Sequence, residues 1–200
     1  MFGFTTYWER ANYEISLSIS VTVMLKINEE SVYNIMNTNA IKIRKTTLQD
    51  LRTLKSWDSM PHLVDQVPTA DWYWEEELLE DEPWRNQFIA ECDGQPIGYI
   101  NIIDPYYEPS KYWGEVPQGL RAIDIWIGEP QFLGKGHGTT MMHLAIEFCF
   151  SFDNVSAILV DPYAGNKRAL RFYEKLGFVC IGEEFEEAGI PHFMMQLELF

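Results

Sequence analysis

Two hundred residues, 46% of them hydrophobic, can bury one sizeable core and are too few for two ordinary domains. Thirty acidic against fifteen basic side chains leave a formal net charge of −15, which argues against nucleic acid as a ligand and draws cationic partners over long range. The same acidity serves solubility, so charge supports a cationic ligand without assigning one.

Cys92, Cys149 and Cys180 are odd in number and widely spaced; they form neither a disulfide framework nor a zinc knuckle, and they favour a reducing compartment. His62, His137, His143 and His192 show no His-Glu-x-x-His pattern, so no metal is expected. The first residues lack a basic region followed by a long apolar run, and no stretch approaches the length of a membrane span. A soluble, cytoplasmic chain without a membrane partner is the expectation.

Residues 1–39 stand apart from a domain expected over 40–200. Within them Ile15-Ser16-Leu17-Ser18-Ile19-Ser20-Val21-Thr22-Val23 alternates with the period of a half-buried strand. An extra edge strand, a swapped arm in a dimer and a segment carried over from an upstream reading frame all fit it, and neither monomer nor homodimer is selected. Ile41 and Ile43 then begin a strand, Thr46 or Thr47 can cap a helix, and Leu48, Leu51 and Leu54 follow at helical spacing. Asp71 to Leu79 reads as a second helix, aromatic at its start and acidic on its exposed side. Asn86–Glu91 and Ile97–Ile103 are apolar runs joined by Asp93-Gly94, which predicts an antiparallel hairpin. Residues 104–118 carry prolines and aromatics without a period and read as a long loop.

Leu120–Ile127 forms the next strand and leads into Gln131-Phe132-Leu133-Gly134-Lys135-Gly136-His137-Gly138, whose three glycines alternate ahead of a helix over Thr139–Phe150. Glycine permits positive φ and close backbone approach, and the free N–H groups that open a helix point toward anions. Taken alone, the three glycines fit an ordinary turn equally well. The spacing is neither that of a nucleotide-hydrolase P-loop nor that of a dinucleotide fingerprint. Val155–Val160 is a β-branched strand, Asn166–Leu176 a basic helix ended by Gly177, and Phe178–Gly182 and His192–Leu199 are closing strands. Alternating strands and helices with one hairpin predict an α/β domain, in the α+β sense, around a mixed sheet.

Gln131-x-x-Gly134-x-Gly136, Asp161-Pro162 and Asn166-x-x-Ala169-x-x-Phe172-Tyr173-Glu174-Lys175-Leu176-Gly177-Phe178 together resemble the GNAT superfamily of N-acetyltransferases over residues 41–200. Arg121-Ala122-Ile123-Asp124 ahead of the glutamine-led loop, with Trp57, Ile97-Gly98-Tyr99 and Tyr112-Trp113, is similar to the aminoglycoside 6'-N-acetyltransferases of antibiotic resistance. The chain departs from that pattern in the 104–118 loop, and residues 1–39 have no counterpart in it.

The resemblance implies a GNAT fold, a mixed and mostly antiparallel sheet flanked by helices, with an extra N-terminal segment. It also implies acetyl-coenzyme A as cosubstrate and transfer without a covalent enzyme intermediate. Asp124 is then the base and substrate anchor, and Tyr173 the acid for the departing thiolate and a neighbour of the cofactor. A backbone N–H among Ile125, Trp126 and Ile127 would serve the oxyanion where the strands splay. Asn166 and Ala169 would line the pantetheine arm. Gln131, Leu133, Gly134, Gly136, Gly138 and Thr139 would meet pyrophosphate mainly through backbone donors, with Lys135 and His137 either adding charge or simply solvated. A polycationic aminoglycoside calls for carboxylates and flat rings, for which Asp124, Asp161, Glu115, Trp113, Tyr112 and Trp57 are the candidates. Each also has an ordinary structural role open to it: Tyr173 as core, Asn166 as helix cap, Asp161 as turn residue. Acetylation of a polyamine, a protein N-terminus or a siderophore hydroxylamine is the rival chemistry, and a non-catalytic coenzyme-binding module the rival class.

Overall fold

A computed structural model describes residues 41–64, 72–187 and 190–199. The expectations for residues 1–39 and for Asp71 lie outside them. Seven strands form one sheet in the order β1-β2-β3-β4-β5-β7-β6: β1 (Ile41–Lys45), β2 (Arg85–Cys92), β3 (Gln95–Ile103), β4 (Leu120–Ile127), β5 (Ala157–Val160), β6 (Val179–Glu187) and β7 (Ile190–Glu198). Neighbouring strands are antiparallel except β4 and β5, which run parallel. The mixed, mostly antiparallel sheet flanked by helices is therefore the observed architecture. At the β2–β3 turn Asp93 and Gly94 take φ of 51° and 79°, the conformation that matches the twist of a tight hairpin.

The helices are α1 (Leu51–Asp58), α2 (Pro61–Val64), α3 (Trp74–Glu77), α4 (His137–Phe150) and α5 (Lys167–Lys175). The first turn before α1 is a 3-10 turn in which Asp50 accepts hydrogen bonds from the Thr47 backbone N–H and hydroxyl at 2.9 and 3.0 Å. Among the described residues no helix is long and apolar enough to cross a membrane. The helix expected from 71 to 79 is reduced to the single turn of α3. Trp74 is buried, and its indole N–H reaches Asp58 at 2.7 Å, so tertiary burial of the aromatic sets the chain path against local propensity. Strand β6 runs beyond Gly182 to Glu187, past a register shift between Cys180 and Glu184. Its acidic end gives no apolar alternation to read.

Strand alternation divides the core. Ile100 and Ile102 of β3 and Ile123 of β4 face α4, where they pack with Met141, Met142, Ala145 and Cys149. The opposite face carries two separate clusters. One holds Leu54, Trp57, Trp74, Ile89 and Tyr99 with Trp72 and Trp126 against it; the other holds Trp113, Ala122 and Leu159 with Tyr112 and Ile103. On that face cross-strand neighbours run Tyr99 with Trp126, Asn101 with Asp124, and Ile103 with Ala122. One polar pair thus lies between an aromatic and an aliphatic one.

Gly128, just past β4, supports the Trp57 ring, which fills the space a Cβ would take. We predict that Gly128→Ala lowers stability by about 1–3 kcal/mol, the usual cost of overpacking. A thermal melt checks this: the midpoint falls by about 2–4 °C per kcal/mol for a chain of this size, and an unchanged midpoint contradicts the packing described.

Candidate active site

Pairing between β4 and β5 covers only Leu120–Ala122 against Ala157–Leu159, while β4 stays paired with β3 as far as Ile127 opposite Gly98. Beyond that pair the strands part, and β5 ends at Val160, ahead of Asp161-Pro162. Gly128 N–H donates to Ile97 O at 2.9 Å. By alternation Trp126 and Asp124 also turn their backbone groups toward β3, and Ile125 and Ile127 turn theirs into the opening. His62 of α2 lies on that side, its Nε2–H donating to Ile127 O at 2.8 Å.

The glycine loop adjoins the opening. Gly134 and Gly136 take φ of 73° and 86°, and a Cβ on either would meet nothing within 4 Å; glycine is needed there for backbone conformation, not for room. Gly136 caps α4 without a side-chain cap bond. The N–H groups of residues 134 to 138 have no backbone acceptor among the described residues. A run of free donors at the start of a 14-residue helix fits a pyrophosphate. Thr139 N–H returns to Gly136 O at 3.0 Å, whereas Gln131 is exposed, its amide on Glu129 Oε2 at 3.0 Å. Leu133 is half-buried and Lys135 exposed.

His137 departs from expectation. It is not solvated: it is buried beside the Phe132 ring at 5.3 Å. Burial, with help from Lys135, pushes its pKa down, which favours the neutral ring.

Asp124 and Asp161 each lie two residues beyond the last β4–β5 pair, Ala122 with Leu159, and so flank the opening on one face. Asn101 Nδ2 donates to Asp124 Oδ2 at 3.1 Å. The Tyr112 hydroxyl donates to Asp161 Oδ2 at 2.6 Å, and His192 Nδ1 to Asp161 O at 2.8 Å. Tyr173 of α5 is buried in the opposite-face core between Phe172 and Phe178, at 5.2 and 5.6 Å. Burial first, and then the negative fields of Asp161 and Asp124, raise its phenol far above the ordinary tyrosine value. The raised value keeps the phenol in its protonated form, with the field of both carboxylates felt across the sheet.

The remaining sequence candidates separate. Asn166 is the N-cap of α5, accepting from Ala169 N–H at 2.9 Å, and Ala169 packs half-buried on the core. Trp113 is 7% exposed and supports Tyr112, whose ring lies 5.4 Å away. Glu115 is exposed on the loop. That loop is tethered by Asp104, which receives Arg121 at 2.7 Å, and by Glu108, which caps the N–H of Tyr112 at 3.1 Å. Trp57 is corrected outright. At 0% exposure it has no face to offer a ligand, and its indole N–H on Glu129 Oε1 at 2.9 Å fixes the start of the glycine loop.

Sequence reasoning missed the wall beside Asp124. Half-buried Trp126 and Trp72 lie 4.9 Å apart, and Tyr99 lies 4.7 Å from Trp126. Alternation was the available signal, since the Trp126 side chain must share the face of Asp124. His62 and Asn101 carried no comparable motif.

The family profile described as "Acetyltransferase (GNAT) domain" matches residues 46–184. The chain belongs to the GNAT acetyltransferases. It is 30% identical over 174 residues to the Klebsiella pneumoniae protein named aminoglycoside N(6')-acetyltransferase type 1, covering 81% of this chain and 86% of that one. It is 24% identical to the Escherichia coli spermidine N(1)-acetyltransferase, over 74% of this chain and 78% of that one. A solved structure of aminoglycoside acetyltransferase AAC(6')-Ib with coenzyme A and kanamycin superposes with a TM-score of 0.71 at 29% identity, over 80% of this chain and 95% of that one.

The buried phenols make a pH prediction for this GNAT chain. Burial, then the charge of Asp124, also raises Tyr99. A group whose folded pKa lies above its unfolded value contributes stability that is complete below the unfolded value, about 10 for tyrosine, and is lost as pH rises. In an absorbance titration of the ten tyrosines, Tyr99 and Tyr173 should ionise only with alkaline unfolding, and Tyr99→Phe should lessen the fall in stability. Ionisation of all ten in the folded protein contradicts the burial described.

Proposed function

We propose that the chain transfers the acetyl group of acetyl-coenzyme A to the 6'-amine of an aminoglycoside by direct attack, without a covalent enzyme intermediate. The observation that carries this is the pair of carboxylates, Asp124 and Asp161, across the opening of β4 from β5, with free loop amides alongside. The relatives at about 30% identity support the acceptor class. A net charge of −15 favours approach of a polycation.

Acetyl-coenzyme A supplies a thioester carbonyl already activated for attack. Pyrophosphate would rest on the amides of residues 134–138, and the pantetheine arm beside Asn166 and Ala169. Asp124 attracts the ammonium and takes the proton that frees its lone pair. The C–N bond forms as the carbonyl oxygen gathers charge against the Ile125 or Ile127 N–H, a donor already in place. The C–S bond then breaks, Tyr173 gives its proton to the departing sulphur, and the second proton of the nitrogen returns to the phenolate, leaving thiol and amide. Flat faces of Tyr112, Trp72 and Trp126 suit sugar rings and ammonium groups.

Polyamine acetylation is the second reading, favoured by the spermidine acetyltransferase relative and by the same carboxylates. Thiol release in the presence of kanamycin, an analogue lacking the 6'-amine, and spermidine separates the two. Release with kanamycin alone is expected, and Asp124→Asn should cost about 10²- to 10⁴-fold in kcat/KM. Silence with every aminoglycoside alongside turnover of spermidine transfers the function to the second reading.

A further inference from the structure

Asn101 occupies the middle of β3 directly opposite Asp124 and is 7% exposed. Its Nδ2 donates to Asp124 Oδ2 at 3.1 Å. That bond fixes the orientation of the amide, because the flipped form would set its oxygen against a carboxylate oxygen. Asn101 Oδ1 then faces the interior and has no hydrogen-bond partner among the described residues. A buried acceptor left without a donor is destabilising, and the surroundings of this position do not call for one: Tyr99 and Ile103 flank it on the same face. A leucine would fill the volume without that cost. Packing alone therefore does not account for an asparagine here. The hydrogen bond to Asp124 does.

We propose that Asn101 is a positioning residue for acetyl transfer, whose amide holds the Asp124 carboxylate in one orientation and in its ionised, proton-accepting form. The groups that face Asp124 explain why a neutral donor is used. Tyr99 shares its face of the sheet from β3, and the Asp124 charge is felt there and, across the sheet, at Tyr173 of α5. Asp161, with Tyr112 and His192 on it, stands across the opening and adds negative charge. An asparagine amide favours the carboxylate form without titrating and without adding a cation that would repel an ammonium substrate. The proposal rests on Asp124 being the base, and its test separates the two claims.

The test is a carbon-detected NMR titration of the Asp124 carboxyl, assigned by the signal missing from Asp124→Asn, in the parent protein and in Asn101→Leu. Loss of one hydrogen bond to the ionised form should move the titration up by about one pH unit, with the low-pH limb of kcat/KM for kanamycin and spermidine moving in parallel. Asn101→Asp, which sets a second carboxylate opposite, should move it further. An Asp124 midpoint unchanged in a folded Asn101→Leu protein overturns the proposal. Should leucine prevent folding, Asn101→Ala carries the same expectation and the same power to overturn it. If instead the midpoint moves but Asp124→Asn retains parental turnover, Asn101 still orients Asp124 while the assignment of Asp124 as base fails.

Discussion

Parallel pairing of β4 with β5 ends at Ala122 and Leu159, and the placement of every candidate group follows from that limit. A strand that loses one neighbour while keeping the other presents backbone groups on its open edge inside a structured domain, where unpaired polar groups are otherwise costly. Here the open edge includes Ile125 and Ile127. One of those groups, the Ile127 carbonyl, is met by His62. On the same face, two residues past the last pair on each strand, stand Asp124 and Asp161. The opening thus joins a backbone edge suited to an extended ligand with two carboxylates suited to an amine.

The electrostatics divide along the same line. Amides at the start of α4 favour an anion at one end of the opening, and carboxylates favour a cation at its face. Tyr173, in the core on the other face of the sheet, keeps a phenol whose pKa burial raises. Protein-side aromatics make the boundary: Trp72 and Trp126 on one side, Tyr112 held by Asp161 on the other. A phosphate and an amine would thereby have separate subsites, as the proposed two-substrate transfer needs.

Much of this was legible locally. Strand β4 has the bounds its apolar pattern predicts, Asp93-Gly94 turns as its φ preference requires, and Asn166 caps α5. These features depend on residues close in sequence. What escaped depends on distant partners. Trp57 looked like a ligand face until Gly128 and Glu129 were found to enclose it. His137 reads in sequence as a local charge or a solvated residue, yet the helix turns it inward onto Phe132. Asn101 did leave a trace, as a lone polar residue in the apolar run Ile97–Ile103, but its meaning appeared only with Asp124 opposite. The length of α3 and the acidic end of β6 were hidden for the same reason: burial and strand pairing, not local propensity, decide them.

Amide hydrogen exchange at Ile125 and Ile127 tests the open edge of β4 most directly. In the protein alone both N–H groups should exchange much faster than those of Asp124 and Trp126, which face β3, and saturating acetyl-coenzyme A should protect them selectively. Protection equal to that of Asp124 and Trp126 before the coenzyme is added, or no gain after it, contradicts the account.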